Sequence, residues 1–494
     1  MHMRTLLAFP LLLATVSTAA LAAATQDEAD RVRTAMQVYL TAAPGVVDVR
    51  PDGDNYIMTL DATPLLAKIP QDSFTAKIDP VVLTLTPKGN GQWDVIQSGP
   101  WGMSWNAPGI SSFDAKAASY EWNGVFDENI VAFLNGTYAL KGITFTQVIT
   151  DPASQTKTSS ASSVESWSGT TTGTARADGA VDSQSTMSFS GVTTASTTEL
   201  PAGMAASGPP MDYSANIAGG GYTSNIKGFK SKAILDLVAW FVARPSKELL
   251  IRDQAQLKDK LAAALPLWEN LDSSGSYDNG TVTTALGQFG FGSAGGAVTL
   301  NGVTKDGLFR EALSLTGFTI PPGIAPPWTE GLVPNTIKLD FAVSGFDLEA
   351  PVKMALAQVD FSKDPPLPPD AAMLYLPAFA PNNSVNVKLA EGEISSPTFK
   401  ITYDSDMVVG FAGFPTGKAT IRMTGMDAVL AKVQGAAATD PMAQQAMGGL
   451  VAAKGFGKAE ADGSLVWVVD VAAPNKVMIN GVDMSAFMGM PPAQ

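Results

Sequence analysis

The strongest constraint on the fold of this chain is a period of two in its apolar residues, repeated along much of the sequence. In the clearest run, residues 337–344 (IKLDFAVS), every second side chain is large and apolar. Shorter runs of the same kind occupy residues 81–86, 143–146, 385–389, 399–403 and 419–423. Because successive strand residues point to opposite faces, the pattern is typical of antiparallel sheets with one buried and one wetted face.

Turn signals separate these runs. Asn-Gly or Asp-Gly pairs, which tolerate the positive φ angles of tight hairpins, begin at Asp52, Asn90, Asn123, Asn135, Asp178, Asn279, Asn301, Asp306, Asp462 and Asn480. The alternation and the pairs together predict a mainly β fold. We expect a long, curved antiparallel sheet of hairpins with an inserted helical hairpin and a few short helices, an α+β arrangement.

Helical spacing is confined to a few segments. Thr25 to Glu28 fits a capping box, and apolar residues at helical spacing follow it as far as Leu40. Two short helices are predicted near the C-terminus, one over residues 426–433 and one that begins at Pro441 behind an Asp440 cap.

The inserted helical hairpin is predicted near residues 231–270. Lys232 to Ala243 is strongly apolar but too short to cross a membrane, which takes about 20 helical residues. Pro245 should end this helix and Ser246 should cap a second one, which we expect to end near Asn270.

Residues 150–210 are rich in Ser and Thr and contain few large apolar side chains. This composition fits either a polar linker or exposed strands. We favour strands, because Met187 and Phe189 fall on the same side of an alternating run.

The N-terminus predicts export to the periplasm. Residues 1–22 have the features of a signal peptide: Arg4, an apolar segment too short for a membrane span, and small residues at Ala20 and Ala22. The remainder is expected to form an N-terminal β-rich region with an opening helix (23–220), a region with the helical insertion and glycine-rich hairpins (221–330), and a C-terminal β-rich region with two short helices (331–494).

Composition excludes many mechanisms. The chain has no cysteine, and removal of the signal peptide would also remove His2, the single histidine. Nucleophile pairs such as Ser-His or Cys-His, and metal sites built from His or Cys, would then be impossible. The 32 basic residues are outnumbered by 46 acidic ones, for a net charge of −14, which argues against a nucleic-acid partner. We also expect no cofactor, no metal and no transmembrane helix.

Two short motifs have ordinary structural interpretations. Gly290 to Gly295 matches G-x-G-x-x-G, but a strand-like run follows where a dinucleotide site needs a helix, so we expect a glycine-rich hairpin. Ser224 to Lys227 matches S-x-x-K, but the companion motifs of penicillin-binding enzymes do not occur downstream.

Aromatic residues supply the candidate ligand contacts, which are Trp93, Trp101, Trp105, Trp240 and Phe241. The first three share one parity and could form an aromatic platform, but we favour core packing, because aromatic cross-strand pairs commonly stabilise sheets. Soft apolar residues near the C-terminus, namely Met484, Phe487, Met488 and Met490, fit either adaptable binding or packing over the sheet.

Carboxylates are the only acid–base groups present in quantity. Glu391 with Glu393, and Asp404 with Asp406, are pairs that would share a face in a strand. Such pairs could bind Ca²⁺ weakly or divide acid and base roles, but they also serve as solvated surface.

The closing segment resembles a group of exported proteins. The run from Ser464 to Asp470 (SLVWVVD), followed by Lys476 to Gly481 (KVMING), is similar to the ends of uncharacterised proteobacterial envelope proteins: an alphaproteobacterial domain-of-unknown-function family and the YdgA-like proteins. The resemblance implies a β-rich periplasmic protein and brings no catalytic residues.

We therefore expect a non-enzymatic periplasmic envelope protein that holds an apolar ligand, such as a lipid, or a protein partner in an apolar groove. One alternative is a carboxylate-based hydrolase of envelope glycans, which needs no histidine. Another is an outer-membrane β-barrel, which the helical insertion and the final Pro-Pro-Ala-Gln disfavour.

Overall fold

The chain forms one long, open antiparallel sheet, as the alternation predicts. A computed structural model describes residues 23–69, 72, 74–201, 212–244, 246–411, 415–473 and 476–484. Within them 21 strands join a single sheet, and strand residues outnumber helical ones by 52% to 22%, which makes the protein mainly β. The predicted signal peptide lies outside the described residues.

The first half of the sheet consists of β1 (Val47–Asp52), β2 (Asn55–Leu60), β3 (Thr75–Ile78), β4 (Val81–Gly89), β5 (Gln92–Ala107), β6 (Ser111–Asp127), β7 (Ala132–Thr150), β8 (Lys157–Ala175), β9 (Val181–Glu199) and β10 (Tyr213–Phe229). The second half consists of β11 (Asn270–Thr284), β12 (Gly287–Asn301), β13 (Gly307–Thr316), β14 (Thr336–Phe346), β15 (Ser384–Ser395), β16 (Lys400–Gly410), β17 (Thr416–Thr424), β18 (Lys458–Ala459), β19 (Leu465–Ala473), β20 (Lys476–Ile479) and β21 (Val482–Asp483).

The helices of the described residues are α1 (Gln26–Tyr39), α2 (Thr63–Leu66), α3 (Ser231–Val242), α4 (Lys247–Arg252), α5 (Gln254–Ala264), α6 (Glu349–Gln358), α7 (Ala371–Phe379), α8 (Met426–Ala436) and α9 (Pro441–Phe456), with a 3₁₀ turn at Pro327–Thr329. Strands pair with their neighbours in chain order, except that β2 pairs with β4, β3 pairs with β5, and β17 and β18 both pair with β19. Strands β7, β8 and β9 have 19 residues each, a length of about 60 Å.

Register gives the sheet two chemically different faces. Side chains of directly paired residues share a face, and one such row crosses the sheet through Leu140, Trp167, Phe189, Gly220, Tyr277, Ala294, Leu315, Ile337, Ile394, Ile401, Met423 and Leu465. We call this side the apolar face. The opposite side, the polar face, carries Lys141, Asp272, Arg310, Lys338, Asp340, Lys388, Glu393 and Lys418.

Helices cover the apolar face at both ends of the sheet. The N-terminal core packs α1 against β1, β2, β4 and β5 around Val49, which is 1% exposed. The C-terminal core packs α8 and α9 against β17 and β19 around Val433, which is 2% exposed. The Trp328 indole N–H of the 3₁₀ turn donates to Asp440 at 2.8 Å, which ties this turn to the start of α9.

The middle of the apolar face has no comparable cover. In the described strands from β8 to β16, Val181 carries the only buried apolar side chain. Tyr277 and Leu313, near the centre of the sheet, are 51% and 49% exposed. The described helices therefore leave a band of apolar side chains accessible between the two cores.

A crease crosses the long strands. Gly142, Gly191 and Asn279 have φ angles of 57°, 61° and 51°, and register aligns them through Glu165 and Ala218 of the intervening strands. At this line the alternation of β7, β9 and β11 changes phase. The irregularity keeps apolar side chains on the same face on both sides of the crease.

The Asn-Gly pairs overstate the number of turns. Those that begin at Asn90 and Asn480 do form turns, but those at Asn123, Asn135 and Asn279 lie inside β6, β7 and β11, so a hairpin prediction there is wrong. The glycines of these pairs make room for atoms of a neighbouring strand and do not form a turn. For example, a Cβ atom on Gly136 would come within 2.7 Å of the Trp122 ring.

The helical insertion is confirmed, with one correction. Ser246 accepts a hydrogen bond from the Leu249 N–H and caps α4, as predicted. The second helix, however, is interrupted at Asp253 and ends at Ala264 rather than near Asn270. Pro266 explains the early end, because the residue before a proline is forced out of the helical region.

Other helix predictions agree with the structure. Thr25 caps α1, and Asp440 accepts hydrogen bonds from the Met442 and Ala443 N–H groups at the start of α9. The alternation of apolar residues gives no indication of helices α6 and α7. The 220/221 boundary falls within β10, and no described helix is long and apolar enough to span a membrane.

The described part of the Ser/Thr-rich segment consists mainly of β8 and β9, which confirms strands over a linker there. Residues 202–210 of that segment lie outside the described residues. Strands β8 and β9 are joined by side-chain hydroxyl pairs in addition to the backbone ladder. Ser163 pairs with Thr193 at 2.7 Å, and Thr170 pairs with Thr186 at 2.8 Å. Hydroxyls thus stabilise strands that have few apolar side chains to bury.

Candidate ligand-binding face

The middle of the apolar face has a floor of aromatic rings. Glycines on one strand leave space into which a ring from the next strand extends. A Cβ atom on Gly169 would lie 2.6 Å from the Tyr138 hydroxyl, and one on Gly280 would lie 2.0 Å from the Phe291 ring. Rings placed over glycines protect the backbone and present a broad apolar surface.

A cavity of about 480 Å³ lies where this floor passes beneath α1. Its walls are apolar and include Met36 of α1, Leu85 of β4 and Phe133 of β7. Its volume falls within the usual range for sites that hold small ligands, about 300–1,000 Å³. The cavity therefore provides a deeper, partly covered extension of an otherwise open face.

Charged groups mark the rim of this cavity. The Arg31 guanidinium contacts Glu28 at 2.7 Å and Glu128 at 2.9 Å, and these contacts raise the pKa of Arg31. The Trp93 indole N–H donates to Glu128 at 3.3 Å. The Arg31–Glu128 contact ties α1 to the loop that follows β6.

A second cavity, of about 410 Å³, lies on the open part of the face. Phe189 and Tyr277 contact each other with ring centroids 5.5 Å apart, and Tyr222 accepts a hydrogen bond from the Ser273 hydroxyl. Glu311 lies in the same cavity wall. In the regularly paired stretches from β7 to β17, Glu311 is the one charged residue that register places on the apolar face.

The predicted tryptophans of β5 lie on the apolar face but do not form one cluster. Trp93 is 7% exposed and packs in the N-terminal core, with its ring 5.8 Å from that of Tyr56. Trp105 stacks on Phe113 at 4.1 Å. Trp101 lies between them, opposite Ala117. Twelve strand residues separate Trp93 from Trp105, a span of about 40 Å, so the three line the face in a row.

The predicted contacts on α3 line neither of the two cavities. Trp240 is 4% exposed, donates to Gln256 at 3.2 Å and is covered by the Arg244 guanidinium at 4.3 Å. Phe241 is 42% exposed and meets Trp240 edge-on. Trp240 therefore holds α3 against α5, whereas Phe241 is accessible.

The carboxylate pairs lie on the polar face among basic partners. Glu393 contacts Lys400 at 3.2 Å and Lys338 at 3.4 Å. The Ser395 hydroxyl, together with these lysines, lowers the pKa of Glu393. Asp406 is paired in register with Lys388 and Lys418. Lysines on neighbouring strands thus lie next to Glu393 and Asp406.

The short motifs have structural roles. Ser224 and Lys227 are three residues apart in β10, so their side chains point to opposite faces and cannot act on one substrate. Gly290 to Gly295 lies within β12, as the hairpin interpretation predicts. Met484 is 7% exposed, whereas Phe487, Met488 and Met490 lie outside the described residues.

Sequence reasoning missed the residues of the second cavity. Glu311 interrupts the apolar phase set by Phe309, Leu313 and Leu315, and this is the signal that could have revealed it. Tyr222 and Tyr277 give no such signal, because the strand pairing determines that they line the same cavity.

Comparisons with known proteins add no functional assignment. Searches against protein-family models, curated proteins and solved structures found no match for this chain. The resemblance to envelope proteins therefore stays a prediction. Among the described residues, no group of three or more His, Cys, Asp or Glu side chains is arranged to hold a metal ion.

Proposed function

We propose that this protein is an exported, non-enzymatic envelope protein that binds the acyl chain of a lipid along its apolar face. The observation that carries the proposal is the exposed aromatic floor between the two cores. Exposed apolar surface of this extent has no stabilising role in a monomer and is a common feature of binding surfaces. The signal-like N-terminal segment supports the periplasmic location.

The two cavities suggest how a chain would be held. The end of an acyl chain would enter the cavity beneath α1, and the rest would lie across the rings toward Phe189 and Tyr277. Each buried methylene would contribute about 0.8 kcal/mol. The affinity of an elongated apolar site of this kind should therefore rise with the length of the acyl chain.

A fluorescent apolar probe tests the proposal. N-phenylnaphthylamine should brighten on binding the full chain, and dodecyl maltoside should displace it. Ala35 lies at the mouth of the α1 cavity and is exposed, so Ala35→Trp should obstruct entry without disturbing the core. We expect roughly tenfold weaker probe binding, equivalent to about 1.4 kcal/mol.

The matched control is Thr34→Trp, which adds the same ring at an exposed neighbouring position that does not line the cavity. It should bind the probe as the unsubstituted protein does. No brightening with the unsubstituted protein, or equal binding by both tryptophan variants and that protein, would contradict the proposal. Native mass spectrometry of protein isolated from its own source should also detect a co-purifying lipid.

A further inference from the structure

We propose that the cavity around Glu311 binds the positively charged ammonium headgroup of an amphiphile whose chain lies on the apolar face. This inference rests on the proposed acyl-chain function and names the class of lipid that the face would select. It comes from the combination of one carboxylate, two phenols and an apolar floor in a single cavity of about 410 Å³.

The carboxylate of Glu311 has no counterion among the residues that the structure describes. Glu311 is paired across the strands with Val298 and Phe341, both apolar, and makes no ion pair or side-chain hydrogen bond with a described residue. Its sequence neighbour Arg310 points to the polar face, where it binds Asp340 at 2.6 Å. A partly buried charge without a partner is costly, so a ligand that brings a cation would relieve that cost.

The aromatic rings suit the same cation. Tyr222 and Tyr277 are 41% and 51% exposed in the cavity wall, and Phe189 supports the ring of Tyr277. Ring faces attract ammonium groups within about 6 Å, and the attraction strengthens where water is displaced. A carboxylate that lines the same cavity as accessible rings therefore favours a primary or quaternary ammonium over an anionic or a neutral headgroup.

The residues around Glu311 favour binding of a cationic headgroup over binding of an anionic one. Regular pairing places no Lys or Arg on the apolar face from β7 to β17, so nothing there would attract an anionic headgroup. Leu313, in the same cavity wall, extends the apolar surface on which the chain would continue.

Calorimetric titration of the full chain with three amphiphiles that share a dodecyl chain tests the inference. The probes are dodecyltrimethylammonium, dodecyl maltoside and dodecyl sulfate, each kept below its micelle-forming concentration. The unsubstituted protein should bind the trimethylammonium probe about tenfold more tightly than the maltoside and bind the sulfate most weakly.

Glu311→Gln preserves shape and removes the charge. It should weaken trimethylammonium binding about tenfold while maltoside binding stays within about twofold. Tyr277→Leu should weaken trimethylammonium binding by a smaller factor, because it removes the ring but keeps an apolar side chain. The matched control is Glu121→Gln, which neutralises an exposed carboxylate on β6 and should leave both affinities unchanged.

The outcomes separate the two proposals. If the protein binds both probes but Glu311→Gln changes neither affinity, or if Glu121→Gln has the same effect as Glu311→Gln, the headgroup inference is wrong and acyl-chain binding stands. If the unsubstituted protein binds neither probe, both proposals fail. Unchanged far-ultraviolet circular dichroism of Glu311→Gln would show that altered affinity is not caused by misfolding.

Discussion

The two ends of the sheet and its middle share the same alternation of apolar residues, but the apolar face is covered at the ends and exposed in the middle. At the ends, α1 and the pair α8–α9 bury it around Val49 and Val433. In the middle, side chains such as Tyr277 and Leu313 remain about half exposed. The difference indicates that alternation determines which residues share a face, while helices determine whether that face becomes core.

The middle of the sheet is held by other means than a hydrophobic core. Hydroxyl pairs join β8 to β9, and the Arg310–Asp340 pair joins β13 to β14 on the polar face. Together with the backbone ladder, these bonds order long strands without covering their apolar side. Stability and the proposed binding thus depend on different regions of the same sheet.

The same substitution in the two regions should have opposite consequences. Leu465 is 9% exposed in the C-terminal core, and Leu313 is 49% exposed in the open middle. Leu465→Ala should reduce the free energy of unfolding by about 2–5 kcal/mol, because it leaves a cavity in packed core. Leu313→Ala should reduce it by less than about 1 kcal/mol, because partly exposed positions lose little.

Urea unfolding followed by circular dichroism measures the effect of each substitution on stability. Titration with dodecyl maltoside measures the effect of each substitution on ligand binding. Leu313→Ala should weaken maltoside binding, whereas Leu465→Ala should leave it unchanged under conditions where the protein is folded. Equal losses of stability from the two substitutions would mean that the middle is covered in solution.

The crease provides a second and smaller contrast. Gly191 and Gly179 both have positive φ angles, 61° and 82°, but their surroundings differ. A Cβ atom on Gly191 would lie 2.7 Å from the Cβ of Glu165, whereas one on Gly179 would meet nothing within 4 Å.

Both alanine substitutions carry the backbone strain of a left-handed residue, about 1–2 kcal/mol. Gly191→Ala should lose up to about 1 kcal/mol more, because the side chain of Glu165 must move. Thermal or urea unfolding of the two variants gives the difference directly. If Gly179→Ala is the more destabilised of the two, close strand contact at the crease is not what requires glycine at position 191.

The sequence predicts the class of fold because alternation and helix caps are local signals. The caps at Thr25, Ser246 and Asp440 are all present. Register is not local. Nothing in a period of two shows that the phase reverses at Gly142 and Gly191, or that the glycine after Asn135 accommodates a ring from the neighbouring strand instead of forming a turn.

The candidate site also contains one residue that could be selected from the sequence and one that could not be selected by residue type. Trp93 could be selected from sequence because large aromatic residues commonly line cavities, and it does border the one beneath α1. Glu311 could not be selected by residue type, since the chain has 46 acidic residues. Its one local signal is that it interrupts the apolar alternation of β13, and the strand pairing adds that it lies opposite Val298 and Phe341.

The smallest effect concerns the polar face, where acid should weaken the middle of the sheet. The bidentate hydrogen bonds from Arg310 lower the pKa of Asp340 below its ordinary value of 3.8. A carboxylate whose pKa is lowered on folding stabilises the protein above that ordinary value, and this contribution is lost as the pH falls through the lowered pKa. Because the pair is partly exposed, we expect it to contribute about 0.5–1 kcal/mol at neutral pH.

Asp340→Asn isolates this contribution. At pH 7 the variant should be less stable than the unsubstituted protein by that amount, and the gap should close as the pH is lowered below the pKa of Asp340. Urea unfolding at a series of pH values measures the gap. A gap that persists unchanged in acid would mean that the hydrogen-bond geometry of Arg310, rather than the charge of Asp340, stabilises the β13–β14 pairing.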